Sequence, residues 1–317
     1  MFINLEETAE FLKNCDNAII ITHQSPDGDC IGAGFALKDI LSELGKKSRV
    51  VCSDEFPPRY DFLTSTGAGD DFEPDTIIAV DIADTQLMGA LEPVYGNRVQ
   101  LCIDHHVSNT GYAEKTMLRA EASATCEIIY DLACLLGVNI SDHCACCIYT
   151  GIATDTGCFK YDCTTVRAHE ITAELMKKHK LNYALINRNM FDVKSKGRMK
   201  MESAVVELME YHFGGKLTII CVTKDIMERM GVDSNELEGC ASLPLQVEGV
   251  EVGIMLKERE PDVFKISMRS ANDVNVSEIC RTLGGGGHAK AAGCLLEGTI
   301  EDVKERLIET VGKVLGE

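Results

Sequence analysis

Residues Ile77-Ile78-Ala79-Val80 form a strand-length apolar run with no polar alternation, and the run stops abruptly at Asp81. A strand of that kind is buried on both faces, which points to a parallel sheet covered by helices and away from an antiparallel sheet with one wet face. Ala18–Thr22, Arg49–Cys52 and Val99–Ile103 share its strand-like character, while Gly32–Leu44, Ala124–Leu136 and Asp142–Thr154 have helical spacing and are expected to cover the sheet. The fold class expected from these runs is α/β, with a mainly parallel sheet in the first part of the chain.

Three of these strands end in conspicuous polar clusters. His23-Gln24-Ser25-Pro26-Asp27-Gly28-Asp29 follows the first, Asp81 the third and Asp104-His105-His106 the fourth, and Asp155 closes an apolar helical pattern. Open α/β sheets bind ligands beyond the carboxyl ends of their strands, so these clusters are expected to meet. Taken alone, the first stretch reads equally well as a capped turn before a helix, a loop free of helical spacing. Four Asp and His clusters at element ends point instead to metal, since a buried carboxylate is costly without a counter-charge and one ion could not use so many. Imidazole mixed with carboxylate suits an ion of intermediate hardness such as Mn²⁺. Two such ions roughly 3.5–4 Å apart share a carboxylate, bring a bridging water towards a neutral pKa and clamp the oxygens of a displacement at phosphorus. The reaction class expected is hydrolysis of a phosphoester or phosphoanhydride.

The 317 residues allow about two domains. Residues 192–214 balance four bases against four acids in a helical pattern that ends at Gly214-Gly215. Beyond them Leu217–Val222, Val250–Glu258, Phe264–Ser270 and Ala292–Glu297 read as strands, with Val276–Leu283 and the segment from Ile300 as helices, giving a smaller α+β domain. Thirty-one Lys and Arg against fifty Asp and Glu leave a net charge of -19. Residues 1–190 carry 15 bases and 28 acids (-13), and residues 215–317 carry 12 and 18 (-6), so neither lobe offers a basic arm. That excludes a binder of duplex DNA, whose affinity comes from cations on phosphates. No run of about 18 apolar residues is present, so no membrane partner is expected. The start, Met1 to Glu7, lacks a basic and an apolar region, and the expected location is cytoplasmic. The fifteen cysteines read as reduced thiols, with Cys144-Ala145-Cys146-Cys147 on a buried helix rather than in a zinc site.

Gly284-Gly285-Gly286-Gly287 followed by His288 fails as a dinucleotide fingerprint, because a helix and not a strand precedes it. Its bare backbone reads as a loop that can approach a phosphate closely. With Ala291-Ala292-Gly293, this run and the set His23-x3-Asp27-x-Asp29, Asp81, Asp104-His105-His106 and Asp155 resemble the DHH–DHHA1 phosphoesterase family over nearly the whole chain. The likeness is strongest to the stand-alone nanoRNase and pAp-phosphatase branch.

The resemblance implies a DHH catalytic domain over 1–191, a linker helix over 192–214 and a DHHA1 substrate-binding domain over 215–317, with the active-site cleft between the domains. It implies two Mn²⁺ ions, for which Mg²⁺ or Co²⁺ can substitute. His23 and Asp27 would bind one, Asp29, His105 and Asp155 the other, with Asp81 bridging. His106 would face the scissile phosphate as charge stabiliser or general acid, and Asp104 would fix a histidine tautomer. Arg269, Ser270, Gly285, Gly286, Gly287 and His288 would hold the terminal nucleotide, Arg269 by a forked pair with its phosphate. Ala33 and Leu87-Met88 depart from a serine and an arginine frequent in the family, which bears on substrate preference rather than catalysis.

The expected activity is Mn²⁺-dependent release of mononucleotides from short single-stranded RNA and dephosphorylation of 3′-phosphoadenosine 5′-phosphate. Alternatives are a phosphodiesterase for cyclic or linear dinucleotides (c-di-AMP, pApA), a RecJ-like exonuclease, a family II pyrophosphatase, or a non-catalytic nucleotide sensor. A homodimer is compatible with all of them. Four ligand acids and two divalent ions change the meaning of the charge: a locally positive cleft in an acidic exterior favours short substrates over long polyanions.

Overall fold

The computed structural model describes every residue except 233–236, 238–239 and 317, and leaves the side chain of His288 undescribed. The described chain divides into two compact units, Met1–Val193 and Lys194–Glu317.

In the first unit the strands are β1 (Ala18–Ile21), β2 (Ser48–Val51), β3 (Thr76–Val80), β4 (Leu101–Asp104) and β5 (Lys115–Leu118), in the order β2-β1-β3-β4-β5 and parallel at every pairing. β1 and β3 are buried along their whole length, as the unbroken apolar runs require. Alternate residues feed two cores. Ile20, Ile78, Val80 and Ile103 pack under helices, while Ile19, Ile21, Ile77, Ala79 and Cys102 pack on the opposite face with Met88 and Val99. Each fully buried Ile contributes about 1.5–3 kcal/mol relative to exposure. The longer helices are α1 (Leu5–Asn14), α2 (Gly28–Glu43), α3 (Thr125–Leu136), α4 (Asp142–Asp155) and α5 (Val166–Lys178). Cys144 and Cys147 are buried on α4, as small apolar residues.

α2 begins at Gly28, four residues before the expected Gly32. Asp27 caps it, its Oδ1 accepting the N–H groups of Asp29 and Cys30 at 3.1 Å each. The glycines that hide this helix in the sequence let it lie close to α4, where a Cβ on Gly32 would come within 2.5 Å of the Cys147 carbonyl oxygen.

The second unit holds β6 (Glu210–His212), β7 (Leu217–Val222), β8 (Val252–Glu260), β9 (Val263–Ser270), β10 (Gly286–His288) and β11 (Ala291–Glu297), ordered β10-β11-β9-β8-β7-β6. All neighbours are antiparallel except β7 and β8. One face is covered by α8 (Val276–Thr282) and α9 (Ile300–Leu315). The other is covered by α6 (Lys196–Glu207), which buries Met201 and Val205 against Ile220 and Val222, and by α7 (Lys224–Met230) through Met227. The helical pattern expected to reach Gly214 stops at Glu207, because the next residues pair with β7 as the edge strand β6. Among the described residues no helix is long and apolar enough to cross a membrane.

Candidate metal centre

Strand register brings the polar clusters together. Ile21 pairs with Ala79 and Val80 with Ile103, so extending the same register puts His23, Asp81 and Asp104 in one row at the carboxyl end of β1, β3 and β4. Adjacent strands lie about 4.8 Å apart, within reach of a shared ion. Asp81 leaves β3 with φ +61, a left-handed conformation that Asp tolerates better than most residues, and its N–H donates to the Ile103 carbonyl at 2.9 Å. Asp155 arrives as the last residue of α4.

Asp29 is not in a loop, contrary to the expectation for the His23–Asp29 stretch. It lies in the first turn of α2, fully buried, and accepts the N–H groups of Thr125 (2.6 Å) and Cys126 (3.0 Å). Those donors open α3, whose N-cap Ala124 has no side chain able to satisfy them, so the carboxylate of a distant helix takes the capping role. Thr125 also donates its hydroxyl to Asp81 Oδ1 at 2.8 Å. One helix start thus fixes two of the acids.

Each histidine is oriented through Nδ1. His23 Nδ1 donates to the Gln24 carbonyl at 2.8 Å, His105 Nδ1 to the Ala122 carbonyl at 3.1 Å, and His106 Nδ1 to Asp104 Oδ1 at 2.8 Å. Asp104 itself is fully buried and receives Asn109 Nδ2 on its other oxygen at 2.6 Å. The Nε2 atoms of His23 and His105 consequently face carboxylates. His23 Nε2 lies 3.6 Å from Asp27 Oδ1 and 3.8 Å from Asp81 Oδ2, and His105 Nε2 lies 3.2 Å from Asp155 Oδ2 and 3.6 Å from Asp81 Oδ1. The two oxygens of Asp81 therefore face different groups: Oδ2 the His23 side, and Oδ1 the side of His105 and His106, the latter also at 3.6 Å.

Crowding of buried acids dominates the electrostatics. Burial, then the charges of Asp155 and Asp27, push Asp81 up to about 7. Burial and the neighbouring Asp81 and Asp155 push Asp29 well above the carboxylate range, and burial raises Asp155. Burial works against charge on His23 and His105 as well, but Asp27 outweighs it and holds His23 at about 9, and Asp155 with Asp29 and Asp81 holds His105 at about 10. Burial would raise Asp27, yet its contact with His23 keeps it below the usual value. The Asp104 hydrogen bond raises His106.

These residues fit a divalent cation. His105 Nε2 is wholly buried and has no hydrogen-bond partner, since Asp155 at 3.2 Å lies off the hydrogen-bond direction and Asp81 at 3.6 Å is too far. A cation gives that nitrogen a partner and offsets the repulsion among the acids. Among the described residues donor atoms gather into three sets, each within 4.8 Å: His23, Asp27 and Cys30; Asp81, His105 and His106; Asp29, His105 and Asp155. The first-unit residues expected to act at the site, His23, Asp27, Asp29, Asp81, Asp104, His105, His106 and Asp155, thus fall in one neighbourhood. The sequence reasoning missed Thr125, the Cys126 N–H, the Ala122 carbonyl, Asn109 and Cys30. Main-chain donors leave no mark in a sequence, and the one available signal was a helix start at Ala124 with no capping residue of its own.

In the second unit Arg269 pairs across the sheet with Ala291, and Ala291 with His288, so Arg269 and His288 share a row with one strand between them. The side chain of His288 lies outside the described residues. The Ser270 hydroxyl donates to the Val274 carbonyl at 2.7 Å. Gly284–Gly287 is only partly the loop expected: Gly286 and Gly287 enter the edge strand β10. Gly285 and Gly287 are required by packing, since a Cβ would sit 2.2 Å from the Gly293 carbonyl oxygen or 2.6 Å from that of Ala291. Around Gly286 the same test meets nothing within 4 Å.

The family model described as DHH family, N-terminal domain, matches residues 17–152, and that of the DHHA1 domain matches residues 214–317. The bifunctional oligoribonuclease and PAP phosphatase NrnA of Thermus thermophilus is 35% identical over 318 residues, covering 97% of this chain and 93% of that protein. Its counterpart in Bacillus subtilis is 25% identical over 283 residues, 88% of each chain. The crystal structure of an exopolyphosphatase-related protein from Bacteroides fragilis superposes with a TM-score of 0.88 at 25% identity, covering 99% of this chain and 97% of that one.

Proposed function

The chain belongs to the DHH–DHHA1 family and is a hydrolase of phosphoester bonds, and from that premise we propose that it is a Mn²⁺-dependent enzyme releasing mononucleotides from very short RNA and dephosphorylating 3′-phosphoadenosine 5′-phosphate. The observation that carries the reading is Asp81, a buried acid whose two oxygens face two separate donor groups. It suits a carboxylate shared by two ions, with His23 and Asp27 on one side and Asp29, His105 and Asp155 on the other. When bound, two divalent cations supply an acidified water and positive charge for the phosphoryl oxygens.

The chain's own residues do the rest. Thr125 and the N–H groups that open α3 hold Asp81 and Asp29 in place. Asp104 fixes the tautomer of His106, and the same hydrogen bond keeps that ring inclined to protonation, which suits stabilising the scissile phosphate and giving a proton to the leaving oxygen. Arg269 is assigned the terminal phosphate, with the backbone of Gly285, Gly286 and Gly287 and with His288, which shares its row across one intervening strand of the sheet. Ser270 serves by tying the chain after β9 to Val274.

Turnover with Mn²⁺ is to be compared across a di- to pentanucleotide RNA series, 3′-phosphoadenosine 5′-phosphate and a cyclic dinucleotide. The reading expects the first two to be cleaved, and Asp81→Ala to abolish both activities. Preference for the cyclic dinucleotide, or an unchanged Asp81→Ala enzyme, overturns it. Arg269→Ala should raise KM for substrates with a terminal phosphate far more than for aryl phosphodiesters that lack one.

A further inference from the structure

We propose that Cys30 is a metal ligand in the His23–Asp27 group, giving that subsite one sulfur donor beside an imidazole and a carboxylate. Its Sγ, an oxygen of Asp27 and a ring nitrogen of His23 all lie within 4.8 Å of one another. The placement follows from the helix start. Asp27 is the N-cap of α2 and Cys30 its third residue, the position whose side chain returns towards the cap. Asp27 Oδ1 accepts two backbone N–H groups, which hold the carboxylate in place 3.6 Å from His23 Nε2. The thiol is fully buried, and its hydrogen-bond contact is a long one, 3.7 Å to the Asp27 carbonyl. The inference rests on the reading of His23 and Asp27 as metal ligands.

The chemical consequence is a pair of unlike subsites. Sulfur with nitrogen and oxygen favours thiophilic ions such as Zn²⁺, Co²⁺ or Fe²⁺, whereas Asp29, His105 and Asp155 offer only nitrogen and oxygen and suit a harder ion such as Mn²⁺. Ligation replaces the S–H proton by the ion and releases that proton to solvent; no electrons move. Cys30 would thus set which metal the first subsite takes.

The full chain is to be titrated anaerobically with Co²⁺ while its absorption is followed, for wild type, Cys30→Ser, Cys30→Ala and, as a control for an exposed thiol, Cys134→Ser. The proposal expects a near-ultraviolet sulfur-to-cobalt charge-transfer band in wild type and Cys134→Ser, lost in both Cys30 variants while the visible cobalt bands persist. It also expects the Co²⁺ over Mn²⁺ preference to fall by on the order of 10-fold or more. X-ray absorption of wild type loaded with Zn²⁺ should contain a metal–sulfur distance of about 2.3 Å, a measurement that stands even where the variants do not fold. Stoichiometric Co²⁺ binding without the charge-transfer band, or a band that survives both Cys30 substitutions, overturns the role of Cys30 and leaves the metal centre intact. Failure to bind Co²⁺ stoichiometrically overturns the metal reading as well.

Discussion

Gly151→Ala tests how tightly the centre is built. Gly151 lies within α4, and a Cβ there would come 2.3 Å from Cys126 Sγ, 2.6 Å from Asp29 Oδ1 and 3.0 Å from Cys126 Cβ. Carbon contacts are comfortable at about 3.5–4.0 Å, so roughly 1 Å must be found. Neither neighbour yields readily, since both are fully buried and Asp29 is pinned by the Thr125 and Cys126 N–H groups. Helix propensity alone makes this substitution a gain of about 1 kcal/mol. Overpacking costs about 1–3 kcal/mol, and loosening a hydrogen bond to a charged acceptor about 1.5–3 kcal/mol. The chain relaxes by one route or the other, so after the propensity gain is subtracted the expected net change is a loss of up to about 2 kcal/mol, where propensity alone would give a gain. Displacing a carboxylate proposed as a metal ligand by about 1 Å costs on the order of 100-fold in turnover. Urea unfolding of the chelated protein reads the first number and Mn²⁺-stimulated nucleotide release the second. Gly286→Ala, where a Cβ meets nothing within 4 Å, is the comparison and should change stability by less than about 0.5 kcal/mol. A Gly151→Ala protein as stable and as active as wild type would refute the packing assigned to Asp29.

Three further outcomes are expected. Thr125→Val keeps the side-chain shape but removes the donor to Asp81, and should weaken Mn²⁺ activation by about 10- to 100-fold; an unchanged Mn²⁺ dependence contradicts the role given to that hydroxyl. In the chelated protein the raised groups bind protons more tightly folded than unfolded. Their stabilisation is therefore complete below the unfolded values and is lost as pH rises, between 3.8 and about 7 for Asp81, from 6.5 to about 9 for His23 and from 6.5 to about 10 for His105. The melting temperature should then fall between pH 6 and 9 with chelator and hold with Mn²⁺, whose binding should release protons; parallel curves would contradict this. Finally, with -19 overall, turnover should fall steeply with oligonucleotide length at low salt and less steeply at high salt, and a salt-independent profile removes electrostatic exclusion as the cause.

The parallel sheet was legible because β1 and β3 are apolar throughout, and Asp81 and Asp104 because each ends such a run. What stayed hidden has physical reasons. The start of α2 was masked by Gly28, Gly32 and Gly34, which serve close packing rather than helix formation. β5 and β10 are short edge strands, one opening on Lys115 and the other largely glycine, whose identity comes from a neighbour and not from their own composition. Asp29 looked like a loop residue because its partners are main-chain N–H groups 96 and 97 positions away. Cys30 looked like one more reduced thiol among fifteen cysteines until the fold set it beside His23 and Asp27.

The central claim is that the acids and histidines gathered around Asp81 form a two-ion centre for phosphoester hydrolysis. It is tested most directly by stripping the protein with chelator and restoring Mn²⁺ in steps while bound metal and nucleotide release from a dinucleotide are measured on the same samples. The account predicts no turnover at zero metal, recovery that is complete at two ions per chain, and neither binding of the second ion nor recovery in Asp81→Ala. Turnover that persists without metal, or full recovery at a single ion, would contradict it.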